Sequence, residues 1–119
     1  MLTEKDYCDY DTCVALYELG LTFEDASLSF ERNILTNRYE EIPRPSLYEA
    51  QKWLREEKKI FVTVGFLMTG DGDWEYEVQN YRGLHKLSTN MYNTYEEALL
   101  EGIKEAIKIL KDEELTKDF

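Results

Sequence analysis

At 119 residues, 43% of them hydrophobic, the chain suits one globular domain with a single core that needs no disulfide or metal staple. A formal net charge of -11 repels nucleic acid phosphates and anionic lipid, so direct binding to a DNA or RNA backbone is not expected. No basic segment leading into an apolar one opens the chain, and no apolar run approaches the roughly 18 residues of a membrane span; the reading is a soluble, cytoplasmic protein.

The acidity is uneven. Residues 1-42 hold ten Asp/Glu against three Lys/Arg, and residues 43-119 fifteen against eleven. The first nine residues read as an acidic, loosely held start. Cys8 and Cys13 lie five apart, a spacing used by neither a C-x-x-C redox pair nor a zinc knuckle, and they read as two reduced thiols. From about Asp11, Cys13, Val14, Leu16 and Tyr17 predict a short helix, with Asp9 or Asp11 as its cap and Gly20 closing it.

Residues 21-42 fit neither periodicity cleanly. Alternation of Leu28 and Phe30 with Ser27, Ser29 and Glu31 hints at a strand, and Asn37 with Arg38 at a turn, so one or two short extended pieces are expected on the edge of the main unit. Pro43, Arg44 and Pro45 then stiffen the backbone into a hinge-like boundary.

Beyond that boundary the patterns sharpen. Ser46 and Glu49 form a capping box, the reciprocal side-chain pairing that satisfies free N-H groups at a helix start, and Leu47, Ala50, Trp53 and Leu54 make an inward stripe. The period then changes from 3.6 to 2. Ile60, Val62, Val64, Phe66 and Met68 alternate with Phe61, Thr63, Gly65 and Leu67; Thr69 to Asp73 is a turn cluster; Trp74, Tyr76 and Val78 alternate with Glu75, Glu77 and Gln79 on the return strand. Arg82 and Gly83 mark another turn, and Leu84 to Ser88 a third short strand. A second capping box, Thr94 with Glu97, opens an amphipathic helix to Leu110 whose stripe is Leu99, Ile103, Ala106 and Leu110, widened by Leu100 and Ile107.

The predicted fold is α+β: a two-layer arrangement of a small antiparallel sheet, a hairpin plus a third strand, with two amphipathic helices on one face. A short N-terminal helix precedes it. Residues 1-119 are expected to form a single domain, with 1-42 an acidic extension and 43-111 a helix-strand-strand-(strand)-helix core.

That order of elements resembles the double-stranded RNA-binding domain, which grips phosphates with a lysine-rich motif at the start of its last helix. The matching positions here read Asn93, Thr94, Tyr95, Glu96 and Glu97, so the charge is inverted and RNA binding is not implied. RPSLYEAQKWLRE from Arg44 to Glu56, TYEEALLEGIKEAIKIL from Thr94 to Leu110 and, more weakly, ALYELGL from Ala15 to Leu21 resemble a group of small phage and prophage proteins of gut Bacteroidetes. The group has no assigned activity, so the resemblance implies an origin and carries over no site residues.

No chemistry-bearing motif stands in the chain. His85 is the only histidine, and no motif holds a cysteine or aspartate beside it. Asp71, Gly72 and Asp73 with Glu75 invite a calcium-loop reading, yet Tyr76 and Arg82 stand where the loop would need glycine and glutamate. Glu40 with Glu41 and Glu56 with Glu57 are adjacent in sequence and form no acid/base pair by helical spacing. No G-x-S-x-G, P-loop, H-E-x-x-H or G-x-G-x-x-G is present. The reading is therefore no enzyme, no cofactor and no metal.

The surplus is aromatic: nine tyrosines, two tryptophans and five phenylalanines. Phe61, Leu67, Trp74, Tyr76, Tyr81 and Tyr92 are the candidate interaction surface, since aromatic rings give large contact area at low entropic cost. Phe61 and Leu67 point away from the face filled by Ile60, Val62 and Val64, and a second subunit is the expected cover. The sequence thus points to a non-enzymatic interaction or accessory protein that binds a protein partner or itself, as a homodimer, with no membrane contact. The alternative is an acidic mimic of nucleic acid that inhibits a host DNA- or RNA-binding protein.

Overall fold

A computed structural model describes residues 2-34, 38-68 and 73-117. The architecture is α+β, with helices α1 (Tyr10–Glu18), α2 (Leu47–Glu57) and α3 (Tyr95–Lys117). Strands β1 (Leu28–Ile34) and β2 (Arg38–Arg44) form one antiparallel sheet; β3 (Ile60–Phe66), β4 (Trp74–Asn80) and β5 (His85–Leu87) form a second, in the order β3-β4-β5. Internal contacts divide the chain into two compact units, residues 1-53 and 54-119, the division falling within α2.

In the first unit α1 starts where Asp9 accepts a hydrogen bond from the Thr12 N-H at 2.9 Å. It ends in a Schellman motif: the Gly20 N-H donates to the Tyr17 carbonyl and the Leu21 N-H to the Leu16 carbonyl, both at 3.0 Å. Gly20 has φ of +112°, a conformation that disfavours any side chain, and Leu16 and Leu21 are both buried under the turn. α1 packs on β2, whose Ile42 and Pro43 are buried with Pro45 beyond them.

Three expectations change here. The N-terminal segment is not loosely held: Tyr7 bridges to Ser46, the Cys8 N-H donates to the Pro45 carbonyl at 3.1 Å, and Cys8 is fully buried. Residues 28-34 and 38-44 are the two expected extended pieces and form a sheet of their own: β1 and β2 pair with each other over seven residues, and Arg38 opens β2 where a turn was expected, Asn37 lying outside the described residues. The prolines do not interrupt the chain either, because Pro43 stands within β2, opposite Ser29. Next to it the Arg44 guanidinium lies over the Phe30 ring at 4.3 Å and the Tyr7 ring at 5.1 Å, and pairs with Glu4.

A 3-10 turn at Glu4–Asp6 repeats the capping-box chemistry in miniature, with Asp6 accepting from the Thr3 N-H at 2.8 Å and from the Tyr48 hydroxyl at 2.9 Å. The Thr3 N-H first, and the Tyr48 hydroxyl second, hold the Asp6 carboxyl below the ordinary carboxylate range. The unfolded chain then binds this proton more tightly than the folded one. The stabilisation is complete above about pH 4 and disappears as the pH falls through the lowered folded value. Asp6→Asn is expected to flatten this part of the acid limb in urea unfolding followed against pH; an unchanged limb would remove Asp6 from the account.

In the second unit β3 and β4 pair in a register that sets Val62 opposite Val78, Val64 opposite Tyr76 and Phe66 opposite Trp74. Residues 69-72 of the expected turn lie outside the described residues. A side-chain Asx turn makes the next reversal: the Asn80 amide oxygen accepts from the Arg82 and Leu84 N-H groups, both at 3.0 Å, and Gly83 has φ of +93°. α3 lies across β3 and β4 with Ala98, Leu99, Gly102, Ile103, Ala106, Ile107 and Ile109 buried. This is the predicted stripe turned slightly, since Leu100 and Leu110 are only half-buried. The helix also runs beyond the predicted Leu110 to Lys117.

Candidate partner surface

Strand alternation separates the two faces of the β3-β4-β5 sheet. On the helix-covered face stand Ile60, Val62, Val64, Tyr76, Val78 and Lys86, whose Nζ lies 3.1 Å from Oε1 of Glu105 on α3. On the other face stand Phe61, Thr63, Gly65, Glu75, Glu77, Gln79, His85 and Leu87. Phe61 and Leu87 are 38% and 55% exposed, so this face keeps large apolar side chains in water. At the end of β3 three successive residues, Phe66, Leu67 and Met68, are also exposed, Met68 at 91%.

The six residues singled out in the sequence fall into three places. Phe61 belongs to the uncovered face, and Leu67 follows β3 directly, its N-H donating to the Asp73 carbonyl at 2.6 Å. Trp74, Tyr76 and Tyr92 instead form an aromatic row beside α3: Trp74 meets Phe66 at 4.9 Å and Tyr95 edge-on at 5.5 Å, and Tyr76 stacks on Tyr92 at 6.1 Å. A two-bond bridge fastens this row, with the Trp74 and Tyr92 backbones exchanging N-H to carbonyl bonds of 3.0 and 2.8 Å. Tyr81 sits apart in the Asx turn, 70% exposed, accepting a hydrogen bond from Arg82 at 3.2 Å. The six therefore do not make one surface.

Burial, followed by the carboxylates of Glu105 and Glu101 and by the neighbouring phenol, raises the Tyr76 hydroxyl pKa; burial and then Glu101 raise that of Tyr92. Both phenols stay neutral and the row is a packed structural unit. His85 lies on the uncovered face, its Nε2 against the Glu77 carboxylate. Among the described residues no group of three His, Cys, Asp or Glu is placed to hold a metal. Of the calcium-loop reading Asp71 and Gly72 lie outside the described residues.

No family model, curated protein or solved structure matches this chain.

Sequence reasoning missed Phe66, Met68 and Leu87. Phe66 and Met68 carry the inward period of β3, but the strand ends at Phe66 and Met68 falls outside it. Leu87 was legible only through register: pairing opposite Glu77, itself opposite Thr63, puts it on the uncovered side. Among the described residues no helix is long and apolar enough to cross a membrane.

Proposed function

We propose that the protein is a non-enzymatic interaction protein that uses the uncovered face of the β3-β4-β5 sheet, together with the apolar end of β3, to bind a protein partner, and that its first partner is a second copy of itself. The observation that carries this is the exposure of Phe61 and Leu87 on that face and of Phe66, Leu67 and Met68 at the end of β3, where Phe66 stands opposite Trp74 and belongs to the other face. Three apolar residues in succession at a strand end are costly in water unless something covers them. Glu77 and Gln79 stand on the central strand β4 between Phe61 and Leu87, so a partner for this face must meet polar groups among the apolar ones.

The acidic-mimic reading has less support. Lysines break up the carboxylates of α3: Lys104 on the helix lies 3.5 Å from Glu101 and Lys86 on β5 3.1 Å from Glu105, whereas a mimic of the phosphate array needs an uninterrupted stripe of acids.

Light scattering over a concentration series tests the proposal. A concentration-dependent doubling of mass is expected, and Phe61→Ser combined with Leu87→Ser should weaken the dimer at least tenfold while leaving the circular dichroism unchanged. A strict monomer at millimolar concentration overturns self-association.

A further inference from the structure

We propose that Cys8 and Cys13 are a site of reversible intrachain disulfide formation, in which oxidation makes a staple across the first turn of α1 covalent. The site lies in residues 1-53 and is independent of the sheet surface. With Asp9 as N-cap, Cys8 is the residue before the cap and Cys13 the fourth residue of the helix. These are the two positions whose side chains meet in a hydrophobic staple, the contact that fixes the angle at which a chain enters a helix. Here both staple positions are cysteines, and they are the only two in the chain. Sγ of Cys13 lies 3.5 Å from the Cys8 carbonyl oxygen, and Sγ of Cys8 lies 4.0 Å from the Ser46 carbonyl oxygen.

Both side chains are fully buried, and each is pinned by its backbone: the Cys13 N-H donates to the Asp9 carbonyl at 2.9 Å and the Cys8 N-H to the Pro45 carbonyl at 3.1 Å. Hydrogen bonding to Cys13 and burial push the Cys8 thiol well above its ordinary pKa, so the closed state is a poor nucleophile. Oxidation therefore waits on opening of the segment before α1, which is tied down by the Tyr7 to Ser46 bridge and the Tyr48 to Asp6 hydrogen bond.

With a small-molecule disulfide such as oxidised glutathione the step balances. One cysteine thiolate attacks a glutathione sulfur and forms a mixed disulfide, releasing one glutathione thiolate. The second cysteine thiolate then attacks the protein sulfur of that mixed disulfide and releases the other. Two protons and two electrons pass from the protein to two glutathione molecules.

The test incubates the full chain with oxidised glutathione under native conditions, quenches with acid and reads intact mass and peptide maps. The expected result is a loss of about 2 Da with a Cys8–Cys13 linked peptide and no lasting glutathione adduct. The oxidised protein should melt about 5 °C higher, because the closed loop constrains the unfolded chain. Tyr48→Phe should speed the reaction several-fold by loosening the segment. A wild-type protein that accumulates stable glutathione adducts, forms only interchain disulfides, or melts lower when oxidised overturns the proposal. The wild-type mass decides this even if a variant fails to fold.

Discussion

Replacing Gly102 by alanine is expected to destabilise the protein by about 1-3 kcal/mol, against the gain of about 1 kcal/mol that the same change brings in an exposed helix. Gly102 is buried on α3 where the helix crosses the sheet, and a Cβ there would lie 2.6 Å from Cγ1 of Val62 and 3.0 Å from Cβ of Tyr76. Neither neighbour yields easily. Val62 is a β-branched side chain that is itself buried, with few rotamers open to it, and the Tyr76 Cβ moves only if β4 moves. The new methyl must therefore push the helix off the strands, and the contacts of Leu99, Ile103 and Ala106 loosen with it. Urea unfolding of Gly102→Ala, Val62→Ala and the pair separates overlap from other causes. Trimming Val62 should recover part of the loss, giving a favourable coupling of about 1 kcal/mol or more. A neutral or stabilising Gly102→Ala would mean that the helix does not approach the sheet this closely.

Gly102 also marks where the sequence stops being readable. A glycine between Glu101 and Ile103 looks like a blemish in a helical pattern, since periodicity records which side faces inward but not how close the backbone comes. The elements themselves were legible because their signals are local. Asp9, Ser46 and Thr94 cap the helices they were expected to cap, and Gly20 closes α1. One detail differs: the Glu97 carboxylate accepts from the Asn93 N-H at 3.3 Å, one residue before the cap, so the reciprocal half of that box is displaced. The β1-β2 hairpin was not legible because its pairing is long-range in information: Phe30 opposite Ile42 is favourable only once Tyr10 meets Phe30 at 5.8 Å and Arg44 covers its ring. The candidate surface was half legible for the same reason. Alternation placed Phe61 on the uncovered face, but only register and the position of α3 assign Trp74 and Tyr76 to the other.

Glu49→Ala is expected to cost about 2 kcal/mol, more than loss of a capping box alone, because this carboxylate joins two segments that are far apart in sequence. Within α2 it closes the box: its Oε1 accepts from the Ser46 N-H at 2.8 Å, while the Ser46 hydroxyl accepts from the Glu49 N-H at 3.1 Å. The same carboxylate reaches the approach to β1, accepting from the Ser27 N-H at 3.2 Å and the Ser27 hydroxyl at 2.8 Å. Bonds to an ionised acceptor are stronger than neutral ones, and these fix where the β1-β2 hairpin begins relative to the start of α2. Both partners of the long-range arm belong to residues 1-53, so its loss should loosen that unit first. Two variants divide the effect. Ser27→Ala removes only the hydroxyl arm and should cost less than 1 kcal/mol, while Ser46→Ala removes the cap and should cost about 1 kcal/mol. Hydrogen exchange supplies the site-specific check: in Glu49→Ala the N-H groups of Ser27 and Ser46 should lose protection together, while those of β3 and β4 keep theirs. If only the Ser46 N-H is affected, the carboxylate is an ordinary helix cap and the joint between hairpin and helix lies elsewhere.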